Sequence, residues 1–172
     1  KAFSGVAEGL FEVYKMEVDR RIAGRCVDVL EKLPAINARL AEGDTEAVSQ
    51  ALSSCRRIVD SLADAIYPPN PGVHAVGDLQ LDLGAERHLN RLTAYIQERM
   101  ESKSRRKKLR RSLRDLYDRV CTGVHGEVTT DEARALFLQT YLCLGEVLML
   151  AEPPRPAAVT PGDNPPEAVE GG

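Results

Sequence analysis

Apolar residues recur at intervals of three and four along most of this chain, the period at which a helix buries one face. From Phe3 to about Leu33 the positions are Val6, Leu10, Val13, Tyr14 and Val18, then Ile22, Cys26, Val29, Leu30 and Leu33. This spacing predicts one long or once-broken helix that closes before Pro34. The tetrad "AEGD" reads as a turn, with Asp44 as N-cap of a second helix whose stripe is Val48, Leu52, Cys55, Val59, Leu62 and Ile66. "YPPNPG" ends that stripe. Over residues 68 to 84 the helical period is lost, and Leu79, Leu81 and Leu83 alternate with polar neighbours, so a short strand or a packed loop is expected.

A third helix is predicted from about Ala85 to Glu101 (Leu89, Leu92, Ile96, Met100 inward). A fourth runs from Ser104 to Cys121 (Leu109, Leu113, Leu116, Tyr117, Val120). The last opens at "TTDE", where Thr129 and Glu132 have the spacing of a capping box, and continues through Leu136, Phe137, Tyr141, Leu144 and Leu148. Together these elements predict an all-α fold over residues 1–151: an antiparallel bundle of about five helices with a short irregular or strand-like insert between the second and third. Residues 152–172 hold six of the ten prolines and almost no large apolar side chain, the composition of a tail or linker.

Composition narrows the class. With 172 residues, 43% hydrophobic and 28% charged, and a net charge of −3, the chain suits one soluble domain with a modest core. No run approaches the roughly 20 apolar residues of a spanning helix, so no membrane partner is expected. Cys26, Cys55, Cys121 and Cys143 are far apart, without a CxxC pair or a histidine at zinc spacing. Together with the lack of a signal-peptide pattern, they point to a reducing, cytoplasmic setting, to no metal, and to Cys26 and Cys55 as core thiols. No GxGxxG, P-loop, GxSxG, HExxH or EF-hand pattern occurs, and no cofactor is implied.

The densest charge feature is "SKSRRKKLRRSLR". Lys103, Arg105, Arg106, Lys107, Lys108, Arg110, Arg111 and Arg114 occur there with no acidic residue among them. Two readings weigh about equally: a face that neutralises the phosphates of RNA, and a solvated helix face paired with acidic neighbours. Base stacking has little to work with, since aromatics make up 5% of the chain and tryptophan is absent.

Just beyond lies Arg119-Val-Cys-Thr-Gly-Val-His125-Gly126, followed by the helix that opens at "TTDEA". Gly123 and Gly126 suggest that the fourth helix ends near Cys121 or Thr122, leaving His125 in a turn. If instead one helix carried both residues, the six-residue step would separate them by about 240° of rotation. An arginine, a short spacer, a histidine followed by glycine and then a capped final helix resembles the HEPN superfamily, the "higher eukaryotes and prokaryotes nucleotide-binding" helical domains. "YPP", "NRLTAYI" and "GVHGEVTTDEARALFLQTYLCLGEVL" are similar to an uncharacterised bacterial branch of it, over about residues 44 to 150.

That resemblance implies metal-independent cleavage of RNA at the interface of a homodimer, in a bacterial defence or toxin system with a possible antitoxin or larger defence-protein partner. By it, His125 would be the acid/base and Arg119 would hold the phosphate. Active members carry a polar residue directly after the arginine; here that position is Val120. Many members are instead non-catalytic dimerisation or interaction modules, and that alternative stands beside the ribonuclease. In a purely structural reading Arg119 pairs with Asp115 or Asp118. His88 is read either as joining the same site, with Asn90 or Arg91 nearby, or as a surface histidine, and the surface reading weighs more. Tyr141 is read as core.

Overall fold

A computed structural model describes residues 2–125 and 128–150, and the side chains of 9–123 and 128–150. In chain order the elements are α1 (Ala2–Ala23), α2 (Val27–Glu42), α3 (Thr45–Ile66), β1 (Asn70–Val76), β2 (Leu79–Leu83), α4 (His88–Arg99), α5 (Lys103–His125) and α6 (Thr130–Leu148). The fold is mostly helical, with six helices among the described residues where five were expected. The proline-rich stretch 152–172 lies outside the described residues.

The extra helix comes from the first predicted segment, which breaks at Gly24-Arg25-Cys26. There the Gly24 and Cys26 amides close the last turn onto the Arg20 and Ile22 carbonyls, at 3.1 and 2.7 Å. Pro34 does not end the second part. It lies inside α2, which continues to Glu42 and stops at Gly43, a left-handed cap with φ 75°. An interior proline costs about 3 kcal/mol. Val29, Ile36 and Leu40 are buried on one face of α2, and burial of each is worth about 1.5–3 kcal/mol, so packing outweighs the break.

α3 is the central element and packs against α2, α4, α5 and α6. Its expected stripe is buried from Val48 to Leu62, reinforced by Ala51, Ile58 and Ala63. Asp44 caps it by accepting the Ala47 amide at 2.8 Å. The insert is an antiparallel hairpin, with Val76 paired to Leu79 across a two-residue turn. Gly77 has φ 60° there, which glycine adopts without strain. Val76 and Leu83 join Ala94 of α4 in a small second core.

Both ends of this excursion are held by one side chain. Arg91 of α4 is fully buried. It donates to the carbonyl of Tyr67, just before β1 (3.0 Å), and to that of Ala85, just after β2 (2.8 Å). Its third partner is Asp64 on the last turns of α3, at 2.6 Å.

α5 extends through His125, so the expected end near Cys121 is corrected. Gly123 does not terminate the helix. A Cβ there would come within 2.6 Å of Leu52 Cδ1 and 3.0 Å of Val128 Cγ2, so glycine allows α5 to approach α3 closely. The Thr129–Glu132 capping box forms as expected, with Thr129 N donating to Glu132 Oε2 at 2.9 Å and Glu132 N to Thr129 Oγ1 at 3.2 Å.

α1 lies along α6 in the same direction: its Tyr14 hydroxyl is 3.4 Å from the Leu142 carbonyl, and its Arg21 donates to the Leu148 carbonyl at 3.1 Å. Only part of its stripe is buried. Val18 and Ile22 enter the core, whereas Leu10 and Val13, expected inward, are 71% and 67% exposed. Cys26 and Cys55 are buried as expected. Among the described residues no helix is long and apolar enough to cross a membrane.

Candidate functional site

α5 turns Leu109, Leu113, Leu116 and Val120 into the core. The opposite face is left to the cations, and the eight of them fall into two groups. Three anchor the helix start to its surroundings: Lys103 Nζ lies 3.4 Å from Asp78 Oδ2, Arg106 donates to the Met100 carbonyl at 3.0 Å, and Arg110 donates to Gln97 Oε1 at 3.1 Å. The other five, Arg105, Lys107, Lys108, Arg111 and Arg114, are exposed. None of these five forms an ion pair within the described residues.

Lys107, Arg111 and Arg114 recur at the four-then-three spacing of a single helix face, directly away from the buried leucines. The reading of this run as cations neutralised by acidic neighbours is therefore met at Lys103 alone. The first turn of α5 contains no acidic residue. Cations at a helix start oppose the helix dipole, typically by about 0.3–1 kcal/mol each at an exposed site. The sequence thus maintains positive charge where local helix energetics disfavours it.

Five residues beyond Arg114, Arg119 is exposed and donates to Gln139 Oε1 of α6 at 3.0 Å. Its partner is a neutral amide, not Asp115 or Asp118, so its charge keeps no carboxylate within ion-pair distance among the described residues. It borders a shallow groove of about 280 Å³, lined also by Asp118, Thr122, Gly123, Val128, Glu132 and Leu136. Asp118 and Glu132 are the groove's two carboxylates. The Thr129 amide, then the Thr129 hydroxyl and the Arg119 charge, hold Glu132 below the usual carboxylate range.

The side chain of His125 lies outside the described residues, as do Gly126 and Glu127. The backbone places position 125 on the same continuous helix as Arg119. The six-residue step turns about 240° around the axis, so the two positions occupy different faces of α5. Val120, directly after Arg119, is 1% exposed and belongs to the core.

His88 is neither a plain surface residue nor part of the Arg119 groove. It is 18% exposed, with Nδ1 3.4 Å from Asp60 Oδ1 and Nε2 3.7 Å from Asp64 Oδ1. Tyr117 of α5 donates to the same Asp60 oxygen at 3.0 Å, and burial first of all pushes its phenol up to about 12. This polar junction of α3, α4 and α5 was missed from the sequence, although the signal was there. Asp60 and Asp64 are four apart on α3, His88 and Arg91 three apart on α4, so each pair shares a helix face. Tyr141 is core, as expected. Its hydroxyl donates to Asp19 Oδ1 at 2.9 Å, and its ionisation is raised first by burial and then by that carboxylate.

No family model matches the chain, and no curated protein or solved structure does so either. Among the described residues no group of three or more histidines, cysteines or acids is arranged to hold a metal ion.

Proposed function

We propose that this chain is an RNA-binding helical domain in which α5 is the phosphate-contacting element, and that Arg119 and His125 make it a metal-independent ribonuclease of HEPN type. The observation that carries the binding half is the row Lys107, Arg111 and Arg114, exposed and without a carboxylate partner on the described surface, on a helix whose first turn has no acid. Each cation that neutralises a phosphate releases condensed counterions. Recognition by this face is backbone-directed and sequence-tolerant, because no aromatic side chain stands among these cations to stack a base.

Cleavage rests on the resemblance and on Arg119 retaining its charge beside a neutral partner. In the proposed step the ribose 2′-oxygen attacks the adjacent phosphorus as His125 takes its proton. The bond from phosphorus to the 5′-oxygen breaks and that oxygen gains a proton, leaving a 2′,3′-cyclic phosphate and a 5′-hydroxyl. Arg119 stabilises the charge that builds on the non-bridging oxygens. Because positions 119 and 125 occupy different faces of one helix, the reading requires that two copies contribute to one site, the arginine of one beside the histidine of the other.

The test uses a labelled mixed-sequence RNA in EDTA with wild type, Arg119→Ala and His125→Ala, alongside binding measured by anisotropy for a Lys107→Ala/Arg111→Ala/Arg114→Ala variant. Cutting by wild type alone, with cyclic phosphate ends, supports the ribonuclease. Binding that weakens at least tenfold in the triple variant, and whose salt slope falls by about two (roughly 0.7 per phosphate contact), supports the α5 face. Equal binding by wild type and triple variant removes that face from the function. Absence of cutting by the wild type leaves a non-catalytic binding domain.

A further inference from the structure

α1 carries two apolar faces, and the bundle uses only one. Tyr14, Val18 and Ile22 face α6 and the core, and a Cβ on Gly145 of α6 would fall 2.6 Å from Val18 Cγ2, so the contact on that side is already close. On the outer side Leu10, Val13 and Met16 are 71%, 67% and 69% exposed. The helical backbone from Ala2 places positions 3, 6, 10 and 13 on a shared face at alternating three- and four-residue steps. The sequence puts Phe, Val, Leu and Val there. That is the a/d spacing of a seam between two helices. The seam stops one step later, where Glu17 and Arg20 take the next two positions and bond to each other at 2.9 and 3.0 Å.

We propose that this outer face of α1 is the docking surface for the same face of a second copy of the chain. Charge is the first reason. The positions flanking the seam are Ala2, Ala7, Gly9, Tyr14 and Met16, uncharged throughout. Two identical helices therefore meet without like-charge repulsion, and Gly9 has open space around it for a close approach.

Area is the second reason. From Tyr14 a groove of about 370 Å³ runs onto α5 and α6, lined by the apolar Leu116, Leu142 and Cys143 and rimmed by Ser112, Gln139 and Glu146. Leu10, Val13, Met16 and Leu142 leave roughly 500 Å² uncovered per copy, so burying them in two copies would cover about 1,000 Å², the threshold of a biological interface and the size of a weak, reversible one. A self-complementary patch of this kind closes by twofold symmetry. A lipid surface fits less well, because the charges beside the seam are Glu8 and Glu12, while Lys15 is held by Asp19 at 2.6 Å. The inference stands independently of whether the chain binds or cuts RNA.

The experiment is sedimentation equilibrium on the full chain, from about 1 µM to about 100 µM, for wild type, Leu10→Glu/Val13→Glu, Leu10→Lys/Val13→Lys, and an equal mixture of the two variants. A dimeric wild type, two folded variants with dimerisation weakened at least a hundredfold, and recovery of dimer in the mixture are expected. A wild type that stays monomeric overturns the proposal, even if it binds vesicles or another protein. Dimeric variants overturn it too, as does a mixture of folded variants that shows no recovery. Should a double variant lose helicity, Met16→Glu decides, with an expected weakening of at least tenfold.

Discussion

Replacing Arg91 by methionine tests whether one buried guanidinium anchors the hairpin and α4 to the bundle. Methionine keeps an apolar stem of similar reach and so limits the change mainly to lost donors. The carbonyls of Tyr67 and Ala85 would each lose a charged donor now at 3.0 and 2.8 Å. The Tyr67 carbonyl, on a half-buried residue, would be left unsatisfied at a cost of about 1–3 kcal/mol, whereas Ala85 is exposed, so water replaces part of its lost bond and about 1 kcal/mol goes there. The Asp64 contact adds less than about 1 kcal/mol, because that carboxylate is 59% exposed and screened by water. Against these losses, Arg91 Nε is buried without a partner in the native protein, and its removal returns about 1–3 kcal/mol.

At central values the balance is a destabilisation of about 1–2 kcal/mol. With a urea m-value near 2 kcal/mol/M, the midpoint should fall by about 0.5–1 M at unchanged slope, followed by far-UV circular dichroism. Arg91→Lys should rescue little, since a single ammonium nitrogen cannot reach acceptors now divided between Nη1 and Nη2. Asp64→Asn should cost less than about 1 kcal/mol. A midpoint shift for Arg91→Met below about 0.3 M with the slope unchanged would refute the reasoning.

Gly123→Ala should destabilise by about 1–3 kcal/mol through overpacking against Leu52, and a thermal midpoint equal to wild type would show that α5 can shift away at no cost. At alkaline pH, burial holds the phenols of Tyr67 and Tyr117 up to about 12 and raises that of Tyr141 as well. Their contribution is complete below the ordinary tyrosine value near 10 and is lost as pH climbs toward 12, so the helical signal should fall together with the rise of phenolate absorbance. Full titration near pH 10 in a still-folded protein would contradict this. Burial also pushes the thiols of Cys55 and Cys143 up to about 12 and about 11. Cys55 should react with a thiol reagent at pH 8 only on the timescale of unfolding, while Cys143, half-buried in its groove, should react more slowly than a free thiol but in the native state; prompt modification of Cys55 in the folded protein would count against its burial.

How far the sequence could be read depended on whether a signal was local. The α3 stripe from Val48 to Leu62, the Asp44 cap and the Thr129–Glu132 box depend on residues three or four apart, and all three appear as expected. The Pro34 and Gly123 readings failed for a shared reason. Each residue is a helix breaker by local preference, and each is overridden by contacts with distant elements: burial of Ile36 and Leu40 in one case, close approach to Leu52 in the other. Leu10 and Val13 failed in the opposite sense, since periodicity reports that a helix has an apolar face but not what covers it. In the candidate site, the cations of α5 were fully legible. Which of them are tethered was not, because Asp78, Met100 and Gln97 reach them from other elements.

By itself, then, the sequence determined the helical class, the caps, the central stripe of α3 and the concentration of positive charge before Arg119, because these follow from side chains within a turn or two of one another. Only the tertiary structure decided that Arg91 clasps both ends of the hairpin, that His88 sits between two α3 carboxylates, that Arg119 faces a neutral glutamine, and that half of α1 projects an apolar face. Those depend on which helices pack side by side, and that choice is made by the summed burial of the whole core.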